Sequence, residues 1–280
     1  MEQASFELVL ASGTLHALRS GSAGGSPVLC VPGLSANAHS FAALAARLAV
    51  EGRQVVTLDL RGRGRSPAGA PGSHGWRRHA EDVLEAAGRL GFGPFALLGH
   101  SMGAFVALQA AALRPDRIAR LVLIDGAGPP EPGVIPPILA GVERLGLVYP
   151  SAEAYCERIR RHGAAQPWEE LWERHYLSEL DQVDGGVRPR TSKAAVLEDA
   201  VYGGTHDARA LWPALRMPVL LLRAARQLLP GTGLVVGAAL RDSFLAAVPT
   251  GEVAEVDANH YGVMAHPEGL EAVARFLAAP

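Results

Sequence analysis

Short runs of apolar residues, each about the length of a β-strand, recur along this chain and are separated for much of it by helical patterns. Helical periodicity appears at residues 40–52, 76–91 and 103–115. The apolar runs are rich in Val and Leu and lack alternation, which is typical of strands buried on both faces. They lie at 26–33, 53–62, 94–101, 119–126, 217–224 and 251–258. Alternating strands and helices predict an α/β fold with a mostly parallel central sheet flanked by helices.

One segment departs from this alternation. Residues 127–205 open with a Pro/Gly cluster and then show helical patterns at 138–146, 151–162, 167–182 and 191–202. We interpret 127–205 as a helical cap inserted into a core made of residues 1–126 and 206–280. The alternative is an irregular extension of the core. The Gly/Ser-rich stretch 21–26 is interpreted as a hairpin loop.

Composition excludes several classes of protein. The net charge is −2 over 280 residues, so nothing indicates nucleic acid or an anionic membrane as a partner. The first ten residues do not resemble a signal peptide, and no apolar run approaches the roughly 20 residues of a membrane helix. Cys30 and Cys156 are far apart and are interpreted as reduced thiols. We therefore expect a cytoplasmic protein without a cofactor or metal, and its oligomeric state stays open.

The stretch Gly99-His100-Ser101-Met102-Gly103 matches the pattern G-x-S-x-G. It follows a predicted strand and precedes a predicted helix, which is the setting that this motif requires. A tight turn would leave Ser101 exposed at a helix N-terminus, where the helix dipole favours developing negative charge. We interpret Ser101 as a nucleophile.

A serine hydroxyl needs a base to become a good nucleophile. Among the ten histidines, His260 is the best placed, because it follows the last predicted strand and precedes a C-terminal helical pattern. We predict that His260 is that base.

With these motifs, the chain resembles the α/β-hydrolase fold family, in particular its capped, esterase-like serine hydrolases. The stretch 31–41 is similar to the family's oxyanion loop, which implies the backbone N–H groups of Leu34 and Met102 as the oxyanion hole. The stretch 59–67 resembles the family's D-x-R-G-x-G-x-S loop, with Arg63 where histidine is common. A dinucleotide fingerprint is a weak alternative there, since Pro67 stands where a helix should open.

The acid of the catalytic triad is not settled by the sequence. The resemblance places it about nine residues after the proline that opens the next-to-last strand, and that residue is Gln227. An amide cannot stabilise a histidine cation, and an amide in place of the acid costs about 10⁴ in turnover in a serine protease. Asp125, at the end of the fourth predicted strand, is the preferred acid, because some family members carry theirs there.

The sequence therefore predicts a serine hydrolase of carboxylic esters or lactones that works through Ser101, His260 and Asp125. The expected partner is a small-molecule ester or lactone. Hydrolysis of C–C bonds by the same triad stays open, as does a ligand-binding protein in which Gln227 marks a lost acid. Cap aromatics are candidates for the pocket lining: Tyr149, Tyr155, Trp168, Trp172, Tyr176 and Tyr202.

Overall fold

A central eight-stranded sheet organises the protein, as a computed structural model that describes residues 3–279 shows. The spatial order of the strands is β1-β2-β4-β3-β5-β6-β9-β10. Strands β1 and β2 are antiparallel to their neighbours, and the other neighbouring pairs are parallel. The strands are β1 (Ala4–Leu10), β2 (Gly13–Ser20), β3 (Pro27–Val31), β4 (Gln54–Leu58), β5 (Phe95–His100), β6 (Ile118–Ile124), β9 (Val219–Ala224) and β10 (Gly251–Val256).

Helices cover both faces of this sheet and form two apolar layers. One layer joins the sheet to α2, α3 and α8, and the other joins it to α1 and α9. The core helices are α1 (Ala42–Val50), α2 (Trp76–Arg89), α3 (Met102–Leu113), α8 (Ala238–Ala247) and α9 (Pro267–Ala278). The predicted α/β fold with a mostly parallel sheet is confirmed.

The segment 127–205 contributes no strand to the central sheet among the residues that the structure describes. It holds four helices and a separate hairpin. These are α4 (Ile135–Val142), α5 (Ala152–His162), α6 (Glu170–Ser178), β7 (Leu180–Val183), β8 (Gly186–Pro189) and α7 (Lys193–Thr205). We keep the name cap for residues 127–205, and its standing as a separate domain stays a prediction.

Two local expectations were wrong. Residues 21–26 do not form a hairpin loop, because β4 lies between β2 and β3 in the sheet. The helix predicted at 167–182 ends at Ser178, and the chain then forms the β7–β8 hairpin. Gly185, in the turn of this hairpin, and Gly186, the first residue of β8, have φ values of 84° and 137°, which glycine adopts without strain.

The carboxyl ends of the parallel strands meet at one edge of the sheet, which is where ligands bind in open α/β folds. Ser101 follows β5, Asp125 follows β6, and His260 lies in the loop after β10. The fold therefore brings together Asp125 and His260, which are 135 positions apart in the sequence.

Candidate active site

Ser101 occupies a sharp turn between β5 and α3. Its backbone angles are φ 57° and ψ −123°, a strained conformation for a residue other than glycine. The two flanking glycines make the turn fit. A Cβ atom on Gly99 would lie 2.1 Å from the Gly103 carbonyl oxygen, and one on Gly103 would lie 2.1 Å from the Val31 carbonyl oxygen. The turn therefore requires the G-x-S-x-G pattern for steric reasons.

The structure brings His260 and Asp125 into contact. The Nδ1 atom of His260 lies 2.8 Å from Oδ2 of Asp125, and both side chains are buried. The second carboxylate oxygen of Asp125 accepts a hydrogen bond from the Ala224 amide at 3.1 Å. Because the carboxylate accepts, Nδ1 carries the proton and Nε2 is left with a lone pair. This is the tautomer that a general base needs.

Asp125 reaches His260 through an unusual backbone conformation. Its φ is 43°, in the left-handed region, and its amide donates to the Leu222 carbonyl oxygen of β9 at 2.8 Å. Strain of this kind costs on the order of 1–3 kcal/mol and is found mainly at functional sites. The end of β6 is thus held where a carboxylate can orient the histidine.

Within residues 3–279, no hydrogen bond joins Gln227 to His260. Gln227 is exposed in the turn after β9, where its Oε1 accepts a hydrogen bond from the Gly231 amide at 2.7 Å. The nine-residue spacing therefore leads to an exposed turn, which favours Asp125 over Gln227 as the acid position, and the choice between them stays a prediction. Asp257, the other nearby acid, forms an exposed ion pair with Arg226.

The two residues that the resemblance implied for the oxyanion hole lie on either side of Ser101. Leu34 lines the same cavity as Ser101, and a Cβ atom on the preceding Gly33 would lie 3.2 Å from the Ser101 Cβ. Met102 begins α3, so its amide N–H has no acceptor within the helix. Leu34 therefore lies beside the serine, and the assignment of the two amides to the oxyanion hole stays a prediction.

His100, to which we assigned no role from the sequence, links the serine turn to the histidine loop. Its Nε2–H donates to the His260 carbonyl oxygen at 3.0 Å, and the two imidazole rings lie 4.5 Å apart. Burial and then the nearby His260 lower the pKa of His100 well below its usual range, so the ring is neutral. It fixes the backbone of His260 without adding charge to the site.

A cavity of about 410 Å³ opens above Ser101 and His260. Its lining includes the arginines Arg144, Arg158 and Arg161, whereas no Asp or Glu is among its lining residues. Of the predicted aromatics, Trp172 and Tyr176 line the cavity. The other four, Tyr149, Tyr155, Trp168 and Tyr202, are not among the lining residues.

The cavity arginines differ in how they are paired. Arg144 is buried, donates to the Tyr155 hydroxyl at 2.8 Å and lies 3.2 Å from Glu179. Arg158 and Arg161 project from α5 and are exposed. Arg158 has no acidic partner within 4.0 Å among residues 3–279, and Arg161 lies 3.8 Å from Glu157. The mouth of the cavity is therefore cationic.

Within residues 3–279, no cluster of three or more His, Cys, Asp or Glu side chains is arranged to hold a metal ion. No helix in that range combines the length and apolarity that a membrane span needs. Cys30 and Cys156 are buried free thiols.

Comparison with known proteins agrees with this geometry. A model of the family described as alpha/beta hydrolase fold matches residues 26–144. The N-formylmaleamate deformylase of Pseudomonas putida is 40% identical over 217 residues, which are 75% of this chain and 74% of that protein. The 2-(acetamidomethylene)succinate hydrolase of Mesorhizobium japonicum is 28% identical over 282 residues, covering 95% and 92% of the two chains.

A solved structure of E-2-(acetamidomethylene)succinate hydrolase is similar over almost the full length. It superposes with a TM-score of 0.88 at 27% identity, covering 99% of this chain and 100% of that one. The sheet order, the strained serine turn and these relatives lead to one conclusion: this chain belongs to the α/β-hydrolase superfamily and is a hydrolase.

Proposed function

We propose that this protein is a serine hydrolase that transfers the acyl group of a small, carboxylate-bearing substrate to water. The observation that carries the proposal is the 2.8 Å contact between His260 and Asp125 beside the strained turn of Ser101. Buried carboxylate–histidine pairs also occur elsewhere in this chain, at Asp199 and His79, so it is the position beside a strained serine turn that favours catalysis over ligand binding alone.

In the proposed mechanism, Ser101 Oγ attacks the acyl carbon while His260 Nε2 takes the hydroxyl proton. Asp125 stabilises the imidazolium that forms. The amides of Leu34 and Met102 bind the oxygen of the tetrahedral intermediate. His260 then protonates the leaving group, which departs as an alcohol or amine. Water attacks the acyl-enzyme by the same route, so that the acid is released and Ser101 is restored.

The cavity supports an anionic substrate. A carboxylate would meet Arg158 and Arg161 at the mouth and no opposing acid in the lining. The relatives named above act, by their names, on N-formylmaleamate and on 2-(acetamidomethylene)succinate, both of which are N-acyl carboxylates. We therefore favour an amide as the scissile bond. The carboxylic ester, expected from the sequence, is the second candidate, since the same acyl-enzyme forms from either.

A hydrolysis panel tests the proposal. It contains N-formylmaleamate, 2-(acetamidomethylene)succinate, p-nitrophenyl acetate, an uncharged N-acetyl amide and a lactone. We expect the two carboxylates to give the highest kcat/KM and Ser101→Ala to abolish turnover. Turnover of Ser101→Ala close to wild type would overturn the nucleophile. A preference for the uncharged amide or ester would overturn the substrate class alone.

The role of the arginines has a matched control on the same helix. Arg160 also lies on α5 but points away, with its guanidinium 3.5 Å from Glu173 and 4.8 Å from the Trp168 ring centroid. We expect Arg158→Gln to raise KM for a carboxylate substrate about two- to fivefold, the range for an exposed ion pair, and Arg160→Gln to leave it unchanged. Equal effects of the two variants would contradict recognition by Arg158.

A further inference from the structure

Arg63 stands where histidine is common in the loop pattern D-x-R-G-x-G-x-S, and the mechanism above gives it no role. Its side chain is completely buried, with 0% exposure, in the turn after β4. A buried guanidinium is costly unless every donor is paired. What Arg63 contacts therefore indicates why the chain keeps a charge there.

The Arg63 guanidinium joins three segments. Its Nε–H donates to the Leu34 carbonyl oxygen at 2.9 Å, and Nη1 donates to the Arg61 carbonyl oxygen at 2.8 Å. Its Nη2 donates to Oδ2 of Asp199 at 2.6 Å. One side chain thus connects the loop after β3, the turn after β4 and helix α7 of the cap.

Asp199 is itself fixed by the core. Its Oδ1 accepts from the Gly75 amide at 2.6 Å, and its Oδ2 also accepts from Nε2 of His79 at 2.9 Å. Burial opposes the charge on Asp199, but His79 and Arg63 together lower the pKa of its carboxyl well below the usual range. The partner of Arg63 is therefore an ionised, immobile group.

The peptide that carries the Leu34 N–H is held from two sides. On the near side, the Gly33 carbonyl oxygen accepts a hydrogen bond from the Ala36 amide at 3.2 Å. The far side of Leu34 is held by its own contacts. Its side chain packs in a cluster with the cap residues Val142, Leu145 and Val196, and its carbonyl is held by Arg63.

We propose that Arg63 is a positioning residue that holds the Leu34 amide N–H at the oxyanion site, and that the cap residue Asp199 acts through it. The inference rests on the proposed function, because it assigns the Leu34 N–H to the tetrahedral intermediate. The cap then completes the oxyanion hole as well as covering the cavity. Loss of Arg63 weakens binding of the transition state more than binding of the substrate.

The test uses Arg63→Met, with Arg65→Met as the matched control, since Arg65 lies in the same loop but is exposed. The readouts are kcat and KM for p-nitrophenyl acetate and the inhibition constant of a trifluoromethyl ketone, which forms a tetrahedral adduct on the serine. For Arg63→Met we expect kcat to fall about 10²–10³-fold, the loss seen when one oxyanion donor is removed. Ketone binding should weaken in parallel while KM changes less than about threefold.

Because Arg63→Met removes the guanidinium partner of the buried Asp199, Arg63→Met/Asp199→Asn is measured beside it. This double variant should also show a large fall in kcat with a small change in KM. Asp199→Asn alone, which retains Arg63, should show a smaller fall in kcat and in ketone affinity. A folded Arg63 variant with kcat and ketone affinity equal to those of Arg65→Met overturns the positioning role. If the Arg63 variants do not fold, unchanged ketone affinity in Asp199→Asn overturns it. Failure of the proposed function is distinguished by Ser101→Ala, which would then retain activity in the same assay.

Discussion

The ends of two neighbouring strands, β6 and β9, could each have supplied the acid that orients His260, and they differ in almost every physical respect. At the end of β6, Asp125 is 1% exposed, has a positive φ and contacts His260 Nδ1 at 2.8 Å. At the end of β9, the chain continues into an exposed turn in which the Gln227 side chain accepts a hydrogen bond from the Gly231 amide. The difference teaches that burial and backbone strain at a strand end favour Asp125 as the proposed acid, whereas spacing along the chain favours Gln227.

The largest expected effect comes from moving the acid from one strand end to the other. Asp125→Ala should lower kcat by about 10⁴, the range for loss of a triad acid, because His260 loses its orientation and the imidazolium its counterion. Adding Gln227→Glu in that background should restore less than tenfold, since residue 227 is exposed to solvent whereas His260 is buried. Steady-state kcat on p-nitrophenyl acetate checks both variants. Recovery to near wild type would show that β9 can serve as the acid strand.

A glycine at each strand end sharpens the comparison. A Cβ atom on Gly126 would lie 2.6 Å from the Ser101 carbonyl oxygen, so Gly126→Ala must displace the serine turn. We expect kcat to fall about 10–100-fold, because a displacement of about 1 Å at the reacting atoms costs on the order of 10².

Gly231→Ala is the control at the β9 end. Gly231 has φ 81° with no atom within 4 Å of an added Cβ, so alanine should cost about 1 kcal/mol of stability through backbone strain and leave kcat unchanged. Thermal unfolding and kcat are measured for both variants. An active Gly126→Ala enzyme would mean that the β6 end tolerates movement.

The parallel strands of the sheet were easier to predict from the sequence than the antiparallel strands. Apolar runs identified the six parallel strands, since strands buried on both faces are continuous in the sequence. The antiparallel pair β1 and β2 was missed, although the stretch Ser5-Phe6-Glu7-Leu8 alternates polar and apolar residues as a one-sided strand does. The turn Asp184-Gly185 was the missed signal for the β7–β8 hairpin.

The candidate site was predictable where the backbone dictates residue type. Ser101 between two glycines is such a position, because sterics require the glycines. The choice between Asp125 and Gln227 was not, since it depends on how each chain segment turns after its strand. The basic run on α5 was likewise ambiguous in the sequence. Only the helix orientation separates Arg158, which lines the cavity, from Arg160, which packs on Trp168.

The buried His175 should make the free energy of unfolding depend on pH, whereas the exposed Gln227 turn should not. Burial lowers the pKa of His175, in the cavity wall, to about 3 from 6.5. Between pH 6.5 and 3 the unfolded chain therefore binds a proton that the folded chain does not, and the free energy of unfolding falls as the pH falls. A histidine whose pKa is lowered in this way changes the free energy of unfolding by about 1.4 kcal/mol per pH unit.

His175→Gln should reduce this slope by that amount when urea unfolding is compared between pH 4 and 6. The exposed Gln227 turn carries no such group, so Gln227→Ala should leave the slope unchanged. An identical slope in His175→Gln and wild type would show that His175 is protonated in the folded protein.

The smallest effect is expected from Gln227→Glu in the wild-type background. The new carboxylate would lie on the surface, where a single charge changes stability by no more than about 0.5 kcal/mol. Turnover should stay within a factor of about two. A rise in kcat of tenfold or more would indicate that an acid at the β9 end is functional after all.

The central claim is that Asp125 makes Ser101 a nucleophile through His260. The rate at which a fluorophosphonate modifies Ser101 tests this directly, because the reagent reports the reactivity of the serine and needs no substrate. We expect a mass increase on the peptide that contains Ser101, and a fall of about 10³–10⁴ in the second-order rate constant for Asp125→Asn. An unchanged rate in Asp125→Asn, or modification at another serine, would contradict the account.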